Sequence, residues 1–227
     1  MAALREREGK RKKSSTSSVV EFFVIVAVAI GLAFGIQQFL VKPFRIPSPS
    51  MVPTLKVGQR VLVNRLGPHF GDPSRGDIVV FKPPKGADPS VDQCGNRNQP
   101  DASHQPCSKP TPEQSSSNFI KRVVALPGDW IEVKKGRVYL AKSANGKPPQ
   151  SAFKEQNEPF INKDGNDADC QLCNLPKPIQ VSPGHFFMMG DNRAESDDSR
   201  QWGPVPKKWI IGRAFFTYWP PDRIGTL

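Results

Sequence analysis

One segment limits what the rest of the chain can become. From Val19 to Val41 the sequence reads VVEFFVIVAVAIGLAFGIQQFLV, and the fifteen residues Phe22 to Ile36 carry no polar side chain. Glu21 and the pair Gln37-Gln38 stand near its ends. As a helix, these 23 residues span about 35 Å, enough for a hydrocarbon core of about 30 Å. A buried core helix would show a polar face, and this one shows none. The residues that follow, Gln-Gln-Phe-Leu-Val-Lys-Pro, lack the small-x-small pattern of a cleavable secretory signal, so a retained transmembrane helix over 19–41 is expected. Ahead of it, Arg5, Arg7, Lys10, Arg11, Lys12 and Lys13 face Glu6 and Glu8, a net of +4 over residues 1–18. Those residues are basic, serine-rich and coreless, and read as a disordered cytoplasmic tail. Basic residues before the span keep the N-terminus inside and send everything after it outside.

The remainder, 42–227, is long enough for one or two small domains. The formal net charge is +11. Beyond the tail its cations are scattered among acids, which fits a basic surface and speaks against a nucleic-acid partner. The chain has 24 prolines and little helical periodicity outside the apolar segment, so the domain is expected to be mostly β. Strand-like runs lie at 60–64, 77–81, 119–126, 130–133, 136–140, 185–189 and 209–219, several bounded by Pro or Gly turns. Two polar stretches, 85–118 and 141–181, read as irregular surface insertions.

Between span and strands lies Ser48-Pro49-Ser50-Met51-Val52-Pro53-Thr54-Leu55. Its prolines stiffen the backbone and predict an extended, non-helical stretch that could aim a serine. Ser50 follows Val41 by nine residues, so it lies at most about 32 Å from the bilayer exit. A serine hydroxyl needs a base. His69, His104 and His185 have no context that marks them out. Lys121 lies among Phe119, Ile120, Val123 and Val124, residues that bury. A buried lysine can lose its proton and serve as base, whereas a lysine on the solvent face of the same strand cannot. Cys170 and Cys173 have metal-ligand spacing, but Cys94 and Cys107 have twelve residues between them within a loop.

Four blocks occur in a telling order: 46–55, IPSPSMVPTL; 76–81, GDIVVF; 120–129, IKRVVALPGD; and 190–193, GDNR, continuing through Ser196, Asp198-Ser199-Arg200 and Trp202-Gly203. With the preceding span, they resemble the type I bacterial signal peptidases, membrane-bound serine/lysine proteases that remove signal peptides. The resemblance implies an extracytoplasmic, antiparallel β-sheet or partial-barrel catalytic domain after one transmembrane helix. It implies Ser50 as nucleophile and Lys121 as general base. Ser196 would orient the lysine, and Asp198 and Arg200 would form a supporting ion pair. The backbone N–H of Ser50 and the hydroxyl of Ser48 would hold the oxyanion. Some members of that family carry glycine at the Ser48 position, so its role depends on the side chain pointing inward. No cofactor is implied. The implied partners are signal-peptide-bearing preproteins with small side chains at the first and third positions before the cut, the lipid bilayer, and the export translocon nearby. Pockets for those side chains are expected near Ser50 and Phe81.

If the domain faces outward, four cysteines favour disulfides, with Cys94–Cys107 and Cys170–Cys173 preferred over zinc or free thiols. Trp202, Trp209 and Trp219 are expected to be exposed and to help seat the domain on the bilayer. The location expected is the plasma membrane, a thylakoid-type membrane being the alternative. A binding scaffold on the same fold is a rival reading, disfavoured by the intact Ser50 and Lys121. A self-cleaving repressor would need a DNA-binding domain where this chain has its apolar segment.

Overall fold

The computed structural model describes residues 15–66, 71–85, 87, 113–144, 146–162 and 173–227. The tail through residue 14, His69, His104, the middle of both insertions and Cys94, Cys107 and Cys170 lie outside the described residues. The chain divides into two units, one ending at Leu40 and one spanning Val41–Leu227.

The described residues of the first unit form one helix, α1, Ser15–Phe39, followed by Leu40. It ends two residues before the expected boundary, because Val41 already pairs with Asn64 as the first residue of a strand. Among the described residues, no helix is long and apolar enough to cross a membrane. The side chains at 15–18, 33, 34 and 36–39 are outside that description.

The second unit is mostly β, as expected. Strands β1 (Val41–Arg45), β2 (Arg60–Asn64), β3 (Ile78–Phe81), β4 (Phe119–Ala125), β9 (His185–Met189), β10 (Val205–Pro206), β11 (Ile210–Trp219) and β12 (Gly225–Thr226) form one curled antiparallel sheet. Its order is β1-β2-β11-β3-β4-β9-β10, with β12 against β11. A second antiparallel sheet has the order β7-β6-β5-β8, from β5 (Asp129–Lys134), β6 (Arg137–Lys142), β7 (Lys154–Glu155) and β8 (Leu175–Gln180). The stretch 141–181 is therefore not wholly irregular. It supplies β7 and β8, which its lysines and prolines disguised as loop, since proline is tolerated in strands chiefly at edges.

The central strands of the first sheet are covered on both faces. Side chains alternate along a strand, so Val79 and Phe81 join one core with Val123, Met188 and Trp202. Ile78 and Val80 join another with Ile46, Met51, Leu55, Val61, Val63 and Ile120. Burial on both faces explains why β3 is an unbroken apolar run. A third core packs the second sheet beneath the ends of β4 and β9. The turn Pro127-Gly128-Asp129 hands the chain from one sheet to the other, and the buried Asp129 carboxylate meets Arg75 at 2.9 Å and Lys142 at 2.7 Å. Gly212 permits a close approach of strands, for a Cβ there would collide with the Asn64 carbonyl.

The tryptophan expectation fails for two of three. Trp202 and Trp209 are buried in the core, and only Trp219, 49% exposed, faces solvent. Trp202 stacks edge-on against Phe119 at 5.6 Å, which is where its apolar area is spent.

Candidate active site

Ser50 sits in one turn of 3-10 helix, Pro49–Met51, rather than in the extended backbone expected. Proline is well suited to the first position of such a turn, because φ is preset and its missing N–H has no partner to lose. The flanking residues Ser48, at φ −129 and ψ 159, and Val52, at φ −66 and ψ 137, keep the extended form. Met51 and Leu55 are fully buried and pin the turn to the core between β2 and β3. The Ser50 carbonyl accepts the Asn192 N–H at 3.0 Å. The Ser50 side chain is thereby held from both sides of its backbone.

Lys121 lies on β4 opposite Val79 of β3. It is 4% exposed, and its Nζ is 2.6 Å from Ser50 Oγ. The Phe119 ring lies 5.6 Å from the same nitrogen. Burial pushes the lysine down from 10.5 to about 8. Asp198, Asp197 and Asp191 pull it upward, while Arg200 adds to the lowering.

Two of those acids, Asp198 and Asp191, are paired with arginines, whereas Asp197 is exposed. Asp198 accepts Arg200 Nε on one oxygen and Nη2 on the other, both at 2.8 Å. It also takes the N–H of Gly190 at 3.0 Å and of Arg200 at 3.1 Å, and so caps the short helix α2, Ser199–Trp202. Burial works to raise its pKa, but the Arg200 charge and these hydrogen bonds prevail and hold the carboxyl below its usual range. The Ser196 hydroxyl donates to Asp198 Oδ2 at 2.8 Å. Ser48 Oγ lies 3.3 Å from Ser50 Oγ. Ser48, Ser50, Lys121, Ser196, Asp198 and Arg200 thus belong to one connected neighbourhood. His185 does not join it: it sits at the start of β9, its Nδ1 2.9 Å from the Pro183 carbonyl. Among the described residues no three His, Cys, Asp or Glu side chains converge to hold a metal. Cys173 is disulfide-bonded.

A second buried network was not foreseen. Arg122 donates through Nε and Nη2 to the two oxygens of Asp191, at 2.9 and 2.7 Å. Thr54 donates to Asp191 Oδ2 at 2.5 Å, and Arg122 reaches the Gly76 carbonyl at 2.7 Å. Arginine and aspartate stand 69 residues apart in sequence, so no local pattern announces the pair. Gly190 is legible afterwards as a close approach, since a Cβ there would strike Ser196 and the Ser50 carbonyl.

The family model described as signal peptidase, peptidase S26, matches residues 19–219. The signal peptidase I of Leptolyngbya laminosa is 35% identical over 214 residues, covering 93% of this chain and 85% of that protein. The signal peptidase I P of Bacillus subtilis subsp. natto is 32% identical over 216 residues, 95% of each. A solved signal peptidase I from Enterococcus faecalis overlaps 63% of this chain and 97% of its own, at 19% identity and a TM-score of 0.37, too slight to bear on the reading. A match that starts within the apolar helix and runs to the last residue of β11, with relatives aligned over nearly their whole length, fixes more than a shared architecture: the chain belongs to the signal peptidases of the peptidase S26 family, serine-type hydrolases that cleave signal peptides.

Proposed function

We propose that Ser50 and Lys121 are the nucleophile and general base of this peptidase. The observation that carries the reading is the 2.6 Å contact between Lys121 Nζ and Ser50 Oγ, made by a buried lysine whose pKa lies near 8. At that value a useful fraction of the side chain is neutral at physiological pH, and its lone pair can take the serine proton. Ser50 Oγ then attacks the scissile carbonyl, and the carbonyl oxygen becomes an oxyanion. The Ser50 N–H and the Ser48 hydroxyl donate to it; each such donor is typically worth about 10²–10³ in kcat. The Lys121 ammonium returns the proton to the departing amine, which leaves as the new N-terminus of the mature protein. Lys121, neutral again, takes a proton from water, the hydroxide attacks the acyl-enzyme carbonyl, and the Lys121 ammonium returns the proton to Ser50 Oγ as the ester bond breaks. Arg200 occupies the Asp198 carboxylate and so keeps it from pairing with Lys121. Ser196 adds a further donor to that carboxylate and fixes its direction.

In this proposal α1 is a membrane anchor. Its 25 residues extend about 37 Å, its sequence is apolar from Phe22 to Ile36, and the basic tail sets the N-terminus inside. The domain 42–227 then faces outward at the plasma membrane, close to the translocon, and the disulfide at Cys173 suits an oxidising compartment. Preference for small residues at the first and third positions before the cut rests on the resemblance of the four blocks.

The test is cleavage of a preprotein with Ala-x-Ala before the cut, by the full chain in detergent with a metal chelator present. The proposal expects wild-type activity to survive the chelator and to fall by roughly 10³ or more in Ser50→Ala. Near-normal cleavage by Lys121→Ala would remove the lysine from the mechanism.

A further inference from the structure

The segment between β7 and β8 reaches back to the active site through three separate contacts. The Glu158 carboxylate meets the Arg193 guanidinium at 2.6 Å, and both side chains are buried. The Phe160 ring lies 3.9 Å from the guanidinium carbon of Arg122, the residue next to Lys121. The Asn162 N–H donates to the Asp191 carbonyl at 2.8 Å.

Of these, the Glu158 contact carries the largest electrostatic stake. Arg193 is fully buried. It donates to the Gly190 carbonyl at 2.9 Å and to the Gly136 carbonyl, which satisfy hydrogen bonds but not charge. Among the described residues, the carboxylate it meets is Glu158. A buried cation stripped of its partner must reach water or move its surroundings. Its surroundings are the loop 190–196. That loop supplies the Asn192 N–H that holds the Ser50 carbonyl at 3.0 Å, and it carries Ser196. A shift of the loop therefore displaces the Ser50 backbone, and a displacement of about 1 Å at a nucleophile can cost about 10² in rate.

We propose that Glu158, from the segment 156–162 of the second sheet, is a positioning residue for the Ser50–Lys121 pair, acting through Arg193 on the loop 190–196. Phe160 braces the same assembly from the Arg122 side. The inference rests on the serine–lysine reading given above. It gives the segment 156–162 a task that its polar sequence did not announce.

Glu158 also accepts the Val138 N–H at 3.1 Å, so a loss of activity could reflect a loosened second sheet alone. Three variants of the full chain separate the two. Glu158→Gln keeps the shape and removes the charge. Glu158→Gln with Arg193→Met removes both charges, so no buried cation is left unpaired. Ser50→Ala sets the floor of the assay. Preprotein cleavage is measured well below each variant's own unfolding midpoint. Glu158→Gln is expected to lower kcat by about 10- to 100-fold with KM within about twofold, and the double variant to regain the midpoint while kcat stays low, because Arg193→Met also removes the hydrogen bonds to the Gly190 and Gly136 carbonyls that tether the loop. A kcat within about twofold of wild type in Glu158→Gln, or one that recovers in the double variant along with its midpoint, overturns the proposal. If Glu158→Gln does not accumulate as folded protein, Glu158→Asp, which keeps the charge but withdraws it by one methylene, is read by the same kcat criterion. Wild-type activity in Ser50→Ala would instead sink the serine–lysine reading, and Glu158 would then position nothing.

Discussion

Lys121 and Arg122 are neighbours on β4, and both are buried cations, yet they face opposite sides of the strand. On one side Lys121 meets Ser50 Oγ and the Phe119 ring, and the nearby Asp198 carboxylate is already held by both arms of Arg200. On the other side Arg122 donates to both oxygens of Asp191 and to the Gly76 carbonyl. Burial with the counter-ion withheld lowers a lysine to about 8, whereas the buried guanidinium next to it is given a bidentate carboxylate. Placing two such environments on consecutive residues costs little, because a strand turns alternate side chains to opposite faces. The arginine side stabilises the loop and turn that the lysine side works between.

The sharpest way to break this contrast is to make the lysine permanently charged. Lys121→Arg keeps the cation but cannot release its proton. It is expected to lower kcat by about 10²–10⁴ in the preprotein assay while KM changes little. A variant that still turns over would mean that proton transfer does not pass through this position.

The converse change strips the counter-ion from the arginine. Asp191→Asn leaves Arg122 buried beside a neutral amide, a loss of about 3–5 kcal/mol. Chemical denaturation of the full chain should show a lower midpoint at unchanged slope. If the midpoint stays put, the paired side is less dependent on its charge than the geometry implies.

Removing the buried lysine should do the opposite. The folded pKa lies below the unfolded one, so between about 8 and 10.5 the unfolded chain binds more protons and stability rises with pH. Below about 8 the penalty for burying the cation is fully present, on the order of 3 kcal/mol. Lys121→Met is therefore expected to be more stable than wild type at pH 7, with the advantage shrinking toward pH 10. Equal stability at both pH values would show that the lysine is not strained by its burial.

The smallest effect concerns Asp197, which is exposed and raises the lysine. Asp197→Asn should move the acid limb of kcat/KM slightly toward lower pH and raise activity modestly at pH 7. A shift in the other direction would reverse the sign assigned to that carboxylate.

The sequence made some of this legible and hid the rest, for identifiable reasons. β2 and β9 stand at the residues their β-branched and aromatic runs predict, and β3 and β4 begin or end within a residue of theirs. β1 and β8 were missed because Pro43, Pro176 and Pro178 mask strands that sit at the ends of their sheets. The prolines around Ser50 predict extended backbone because proline breaks helices, yet Pro49 occupies the one helical position that favours it. Trp202, expected at the membrane, lies in the core, since a one-dimensional pattern cannot tell a polar box that folds inward from one that faces solvent. The residue types at 50 and 121 were readable from the order of the blocks. The charge balance around them was not, because it is set by partners such as Asp191 and Arg122 that meet only in the fold.

The most direct test of the account is a titration of the Lys121 side chain itself. Lysine labelled at Cε with carbon-13, with the Lys121 resonance assigned by its absence in Lys121→Met, reports protonation in the full chain in detergent. The account predicts a midpoint about 8, coinciding with the acid limb of kcat/KM. A midpoint near the ordinary 10.5, or an activity limb that does not follow the titration, would contradict it.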